Sequence, residues 1–152
     1  MKTTLMRCAV LIAALSLLAS CGGGGDGGGG SSTPVCTPNG NISLLDSGSN
    51  PLLATSVTTS QGAPVPPVPV FVGYVSPPVA AILAGYPPGS VDPRTYGMNI
   101  TVVGTANPAE FSMTFDSTRA PGTYNATWRF VVTDAVPNVV GCQDLPVTFT
   151  IN

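Results

Sequence analysis

Few residues in this 152-residue chain could do covalent or proton-transfer chemistry, and what is missing narrows the choice first. There is no histidine. That removes Ser-His-Asp and Cys-His nucleophilic systems, and imidazole as a metal ligand. The one lysine is Lys2, near the N-terminus, so Schiff-base and Ser-Lys chemistry have no residue further along the chain. Carboxylates are the remaining route. Glu110 and Asp116 flank one predicted strand, and Asp134 and Asp144 flank the last turn. A carboxylate-dependent hydrolase of envelope polymers is therefore the enzymatic alternative. Its competitor, that each acid is a solvated loop residue, is the favoured expectation, and the chain is expected not to be an enzyme. No Asp-x-Asp-x-Asp run offers a calcium loop, so no metal or cofactor is expected. The four cysteines, Cys8, Cys21, Cys36 and Cys142, contain no Cys-x-x-Cys spacing.

The N-terminal elements give the cysteines different contexts. Lys2 and Arg7 form a positive start, and Cys8 to Leu18 is apolar apart from Ser16. At about 11 residues this run suits the central region of a secretory signal and is too short for a membrane span of about 20. A buried core helix is the competing reading; the glycine run that follows argues against it. That run, Gly22 to Ser32, is interrupted only by Asp26 and reads as a flexible spacer with an end-to-end distance of about 18 Å. It is not a phosphate loop, because no strand precedes it, no helix follows and no Lys-Ser/Thr closes it.

Leu18-Ala19-Ser20-Cys21 joins leader to spacer. An aliphatic residue, two small residues and a cysteine, behind such a leader, resemble the lipobox of bacterial lipoproteins. The resemblance covers the first 21 residues. It implies cleavage before Cys21, a diacylglyceryl group on its sulfur and a palmitate-type acyl chain on the new amine. Several acyl chains exceed the two-signal threshold for stable anchoring. Cys8 would leave with the leader. In envelope lipoproteins of Gram-negative bacteria, Asp directly after the lipidated cysteine favours inner-membrane retention. Gly22 stands there, so the outer membrane is the expected destination, with the leaflet open. Under this assignment Cys36 and Cys142 remain, and an even pair in an exported chain is best read as a disulfide. A redox or metal pair is the alternative, without the spacing or the histidine to support it. The matches to the glycosylation pattern at Asn41, Asn99 and Asn125 read as chance in a bacterial chain.

The expected organisation is residues 1–20 as signal peptide, 21–34 as lipidated cysteine and linker, and 35–152 as one all-β domain. Charged residues make up 8 % of the chain, and beyond the leader only Arg94, Arg119 and Arg129 are basic against seven acids. Such a surface is unsuited to nucleic acid or to electrostatic docking on anionic lipid. Sixteen prolines and eighteen glycines divide the domain into short alternating runs. The spacing predicts strands at 41–45, 53–59, 68–75, 98–103, 110–115, 123–133 and 145–151. Pro64, Pro66, Pro67 and Pro69 cannot donate ladder hydrogen bonds, so the third strand should start at a sheet edge. Ser76 to Gly85 is the one candidate helix, with Ser76 as cap, Pro77 at the first position and Gly85 as stop; a strand is the close alternative. In 123–133, Tyr124, Ala126, Trp128, Phe130 and Val132 share a face, with Trp128 in the core.

Seven strands of this spacing, the turn Ala120-Pro121-Gly122-Thr123-Tyr124 and the closing Leu145–Ile151 run resemble bacterial immunoglobulin-like and fibronectin-like β-sandwich modules. The resemblance implies a single immunoglobulin-like sandwich of about seven strands. The function expected is a structural or interaction role in the cell envelope, with a protein or glycan partner and no nucleic acid. The alternative is a subunit or accessory of a surface or secretion assembly.

Overall fold

A computed structural model of the chain describes residues 41–75, 81–134 and 138–152. The leader, the glycine run, Cys8, Cys21, Cys36 and the first half of the candidate helix lie outside the described residues. What is described is all β, apart from one short 3-10 turn at Pro93–Tyr96.

Eight strands form two four-stranded sheets. In chain order they are β1 (Ile42–Leu45), β2 (Thr55–Thr59), β3 (Val68–Tyr74), β4 (Ala81–Gly85), β5 (Met98–Gly104), β6 (Ala109–Phe115), β7 (Gly122–Thr133) and β8 (Val139–Ile151). One sheet has the order β1-β3-β6-β5 and the other β2-β8-β7-β4. All neighbours are antiparallel except β2 and β8, which run parallel with Thr55 opposite Val147 and Thr59 opposite Ile151. The chain changes sheet at each of the first four connections, so β1 to β4 are laid down alternately on the two sheets. Only β5–β6 and β7–β8 join sequential neighbours within a sheet.

Two-residue periodicity builds the core. Val70 and Val72 from β3, Phe111 and Met113 from β6, Trp128 and Phe130 from β7, and Leu145, Val147 and Phe149 from β8 are all at most 2 % exposed. The sheets meet through aromatic contacts: Phe111 on Phe130 edge-to-face at 5.2 Å, and Phe115 on Phe149 at 5.1 Å. Such pairs contribute about 0.5–1.5 kcal/mol each beyond their buried area. Trp128 sits in this core as expected.

The proline-bearing start of β3 also follows the expectation. Strand β1 pairs only with Phe71 to Tyr74, so among the described residues Val68 to Val70 have β6 on one side and no strand of the sheet on the other. Pro69 is tolerated there because one flank needs no donor.

Two expectations are corrected. The 81–85 half of the candidate helix is strand β4, which raises the count from about seven to eight. Five residues cannot bury a helical face, but in a ladder Ile82 and Ala84 pack on the core while Leu83 points out at 41 % exposure. β4 also satisfies the flank of β7, pairing from Ala81–Thr133 to Gly85–Arg129. Second, the last strand begins at Val139 and not at Leu145, because β7 runs twelve residues and β8 follows it in register almost to the turn. Cys142 and Asp144, expected in the loop before that strand, are therefore strand residues. Between β4 and β5 the 3-10 turn at Pro93–Tyr96 is capped at both ends. Asp92 accepts the Arg94 backbone N–H at 3.0 Å, Pro93 takes the first position, and Gly97 closes the turn at φ 75°.

Candidate functional site

The acids expected as possible pairs are not brought together. Glu110 lies in β6, opposite Phe71, and Asp116 follows the far end of that strand. Six residues of extended chain separate them by about 20 Å, against the roughly 5–9.5 Å that a two-carboxylate glycosidase uses. Asp144 stands opposite Arg129 in the β7–β8 ladder, while Asp134 lies five residues on from Arg129, just past the end of β7 and about 17 Å away. No group of three or more His, Cys, Asp or Glu side chains with metal-binding geometry occurs among the described residues.

The charges are instead spent on one another and on turns. Arg129 meets Asp144 in a two-pronged pair, Nε to Oδ1 at 2.6 Å and Nη2 to Oδ2 at 2.8 Å. The Arg129 side chain is 9 % exposed and that of Asp144 30 %. The hydrogen bonds from Arg129 to Asp144 raise the guanidinium pKa, against the desolvation that lowers it. Arg94 pairs with Asp92 at 2.9 Å. Burial pushes the Asp92 carboxyl up, but hydrogen bonds from the Arg94 side chain and backbone, with its charge, outweigh it and hold the carboxyl below its ordinary range. Arg119 lies 3.9 Å from Asp116. Asp116 is lowered mainly by the Thr118 hydroxyl, which donates to it at 2.6 Å, then by the Thr118 N–H. Asp46 is lowered chiefly by the Asn50 backbone N–H in the turn after β1. All three arginines of the described residues thus stand beside an aspartate.

Cys142 is at 0 % exposure and is not a free thiol. It stands opposite Val131, also fully buried, on the face of the β4–β7–β8 ladder turned away from the main core. On the same flank the Asn41 amide donates to the Val140 carbonyl at 2.9 Å, which holds the start of the described domain against β8.

The feature with binding geometry lies on the opposite flank. Among the described residues, β4 ends one sheet and β5 ends the other, and a cavity opens between these two edges. A cavity of about 140 Å³ lies there, lined by Ile82 from β4, Val102 and Gly104 from β5, Phe111 from β6 and Tyr74 from β3. Neither edge strand contains a charge or a proline. Such residues normally protect an edge from pairing. Of the four edges, β5 is the longest at seven residues, against four in β1 and five each in β2 and β4. The two edges carry exposed apolar side chains, Val102 at 56 % in the cavity lining, with Val103 at 59 % and the outward-facing Leu83 at 41 % beside it.

Local sequence explains the rim. Met98, Ile100 and Val102 alternate inward, but the doubled Val102-Val103 breaks the period. The pairing with β6 shifts between Val102 and Gly104, leaving Val103 as the extra residue of a bulge. The hairpin beyond is pinned by Asn107, whose amide accepts the Tyr74 N–H at 3.4 Å and donates to the Tyr74 carbonyl at 3.1 Å. None of these rim residues was singled out from the sequence. The Val-Val-Gly break in alternation was the available signal for the bulge. The exposure of Leu83 could not be read while 76–85 read as helix.

Compared with known proteins, the chain matches no family model, and a search of curated proteins returns no match.

Proposed function

We propose that this chain is a lipid-anchored, non-enzymatic cell-envelope module of immunoglobulin-like type, which docks an extended protein segment along its open β4/β5 flank. One observation carries the docking reading: two uncharged edge strands with exposed aliphatic side chains flank an open apolar cavity. An extended segment would gain main-chain hydrogen bonds from such an edge and place alternate side chains in the cavity. A partner of a larger surface assembly would fit the same flank.

Two features support the immunoglobulin-like type. The strand order, with β2 parallel to β8, matches a sandwich whose first-strand region is shared between both sheets. The Tyr124 hydroxyl donates to the Ala120 carbonyl at 2.7 Å, the back-bond of a tyrosine corner at the start of the penultimate strand. The lipid anchor rests on the lipobox ending at Cys21. The disulfide partner proposed for Cys142 is Cys36. Five residues separate Cys36 from Asn41, a reach of at most about 17 Å, and Asn41 is already tied to β8.

The docking reading is tested with a photo-cross-linking residue placed in intact cells at Val103, at Leu83 and, as control, at Thr58 on the far edge. Adducts from the first two positions and none from the third are expected; no adduct from either edge refutes it. Cys21→Ala should release the protein from the membrane fraction and block leader removal. Mass spectrometry of the unreduced protein should find Cys36 linked to Cys142, and a free thiol at Cys36 would overturn that pairing.

A further inference from the structure

We propose that the occupant of the β5 edge is a second copy of this chain, paired antiparallel through β5 about a twofold axis at Ile100. This rests on the edge-docking reading above and names its partner.

The register of β5 makes the strand self-complementary. From Met98, opposite Phe115, to Val102, opposite Phe111, its ladder with β6 is regular; the shift after Val102 ends it. Among the described residues, its other flank has no strand of the sheet. Met98, Ile100 and Val102 point to the core side, and Asn99 and Thr101 to solvent. A twofold axis at Ile100 sets Ile100 against its own copy, Met98 against the second copy's Val102, and Asn99 against the second copy's Thr101. Apolar faces apolar on the core side, and amide faces hydroxyl on the outer side. Moving the axis to Thr101 would keep apolar against apolar, Ile100 facing the second copy's Val102, but would set Asn99 against the bulged Val103 and lose the outer match. A shift of one residue in the pairing would set inward side chains against outward ones.

Charge favours the same occupant. A strand paired with itself across a twofold axis brings any charge it carries close to an identical charge, a destabilising arrangement. β5 has none. Each arginine of the described domain already stands beside an aspartate, so no cation is set aside for an acidic partner. The pairing would join two sheets into one of eight strands. It also gives Val102, 56 % exposed at the mouth of the cavity, an apolar neighbour. An isologous contact of this kind closes at two copies and leaves no further β5 edge.

The test is sedimentation of the full chain in detergent over a concentration series. The wild-type protein should convert reversibly from monomer to dimer. Asn99→Lys combined with Thr101→Lys places lysine opposite lysine twice across the axis, and should weaken the dimer about tenfold or more. Asn99→Lys combined with Thr101→Glu places opposite charges there instead, and should restore it at low salt. Both positions are exposed, so both double variants should keep the wild-type unfolding temperature. Equal weakening by both variants would overturn the register. A monomer at every concentration, with cross-links from Val103 to a different protein, would overturn self-pairing and leave edge docking standing. A monomer with no cross-link from either edge would remove both.

Discussion

The Arg129–Asp144 pair gives the sharpest test of how charge is used in this domain. The perturbation is Asp144→Ala. It strands the guanidinium of Arg129, whose side chain is 9 % exposed in the intact pair, with its two hydrogen bonds of 2.6 and 2.8 Å gone. Removing one partner of a fully buried pair costs about 3–5 kcal/mol, mostly from the uncompensated charge. Here Asp144 is 30 % exposed, so water can enter the space it leaves. That places the expected loss near the bottom of the range, about 2–3 kcal/mol. For a domain of this size the unfolding temperature should fall by roughly 10 °C. Arg129→Met with Asp144→Leu removes both charges and keeps the packing, so it should cost less than about 1 kcal/mol. Thermal unfolding of the intact protein followed by circular dichroism measures both. A single variant within about 0.5 kcal/mol of wild type, the usual range for exposed sites, would show that the pair behaves as a surface salt bridge. A double variant as unstable as the single one would show that lost packing, and not stranded charge, sets the cost.

Three further outcomes are expected. Gly97→Ala puts a side chain at φ 75°, with its Cβ 2.6 Å from Arg119 Nε and 2.9 Å from Asp116 Cβ, so the urea midpoint should drop by the equivalent of about 1–3 kcal/mol with unchanged slope. Tyr124→Phe removes the bond to the Ala120 carbonyl and should cost about 1 kcal/mol; no change would deny the corner a stabilising role. The carboxyls of Asp46, Asp92 and Asp116 are depressed below 3.8 in the folded state, so the unfolded chain binds more protons on acidification. Their stabilisation is complete above the unfolded value and is lost as pH falls through the folded ones. With no histidine in the chain, stability should be level from about pH 5 to 8 and decline below about pH 4. A transition near pH 6.5 would contradict this.

What the residues disclosed in advance follows from which forces leave a periodic trace. Tyr124, Ala126, Trp128, Phe130 and Val132 alternate with polar residues because one face of β7 is core, and that face was legible from the sequence. The other face was not. Arg129, Val131 and Thr133 are also buried, and the ion pair that engages Arg129 does not repeat along the chain. The same limit hid the start of β8. Gly141, Gln143 and Asp144 look like loop residues until β7 supplies register and Arg129 supplies a counter-charge.

β4 shows the limit most clearly. Five residues hold less than two helical turns and two strand repeats, so Ala81 to Gly85 carry no diagnostic period of their own. Their state is set by the unpaired flank of β7, a strand more than forty residues later. The open flank was hidden for the same reason. An edge exists only once neighbours are assigned, and the exposure of Leu83, Val102 and Val103 means something only when β4 and β5 are known to end their sheets. In a chain so poor in charge, edge protection could not come from lysines. The bulge at Val103 is the one protective device on β5, and it covers the end of the strand while leaving Met98 to Val102 as a straight template. A protein under pressure only to remain monomeric would gain from one charge at Asn99 or Thr101, positions where the fold tolerates it; that neither carries one is consistent with an edge kept for pairing.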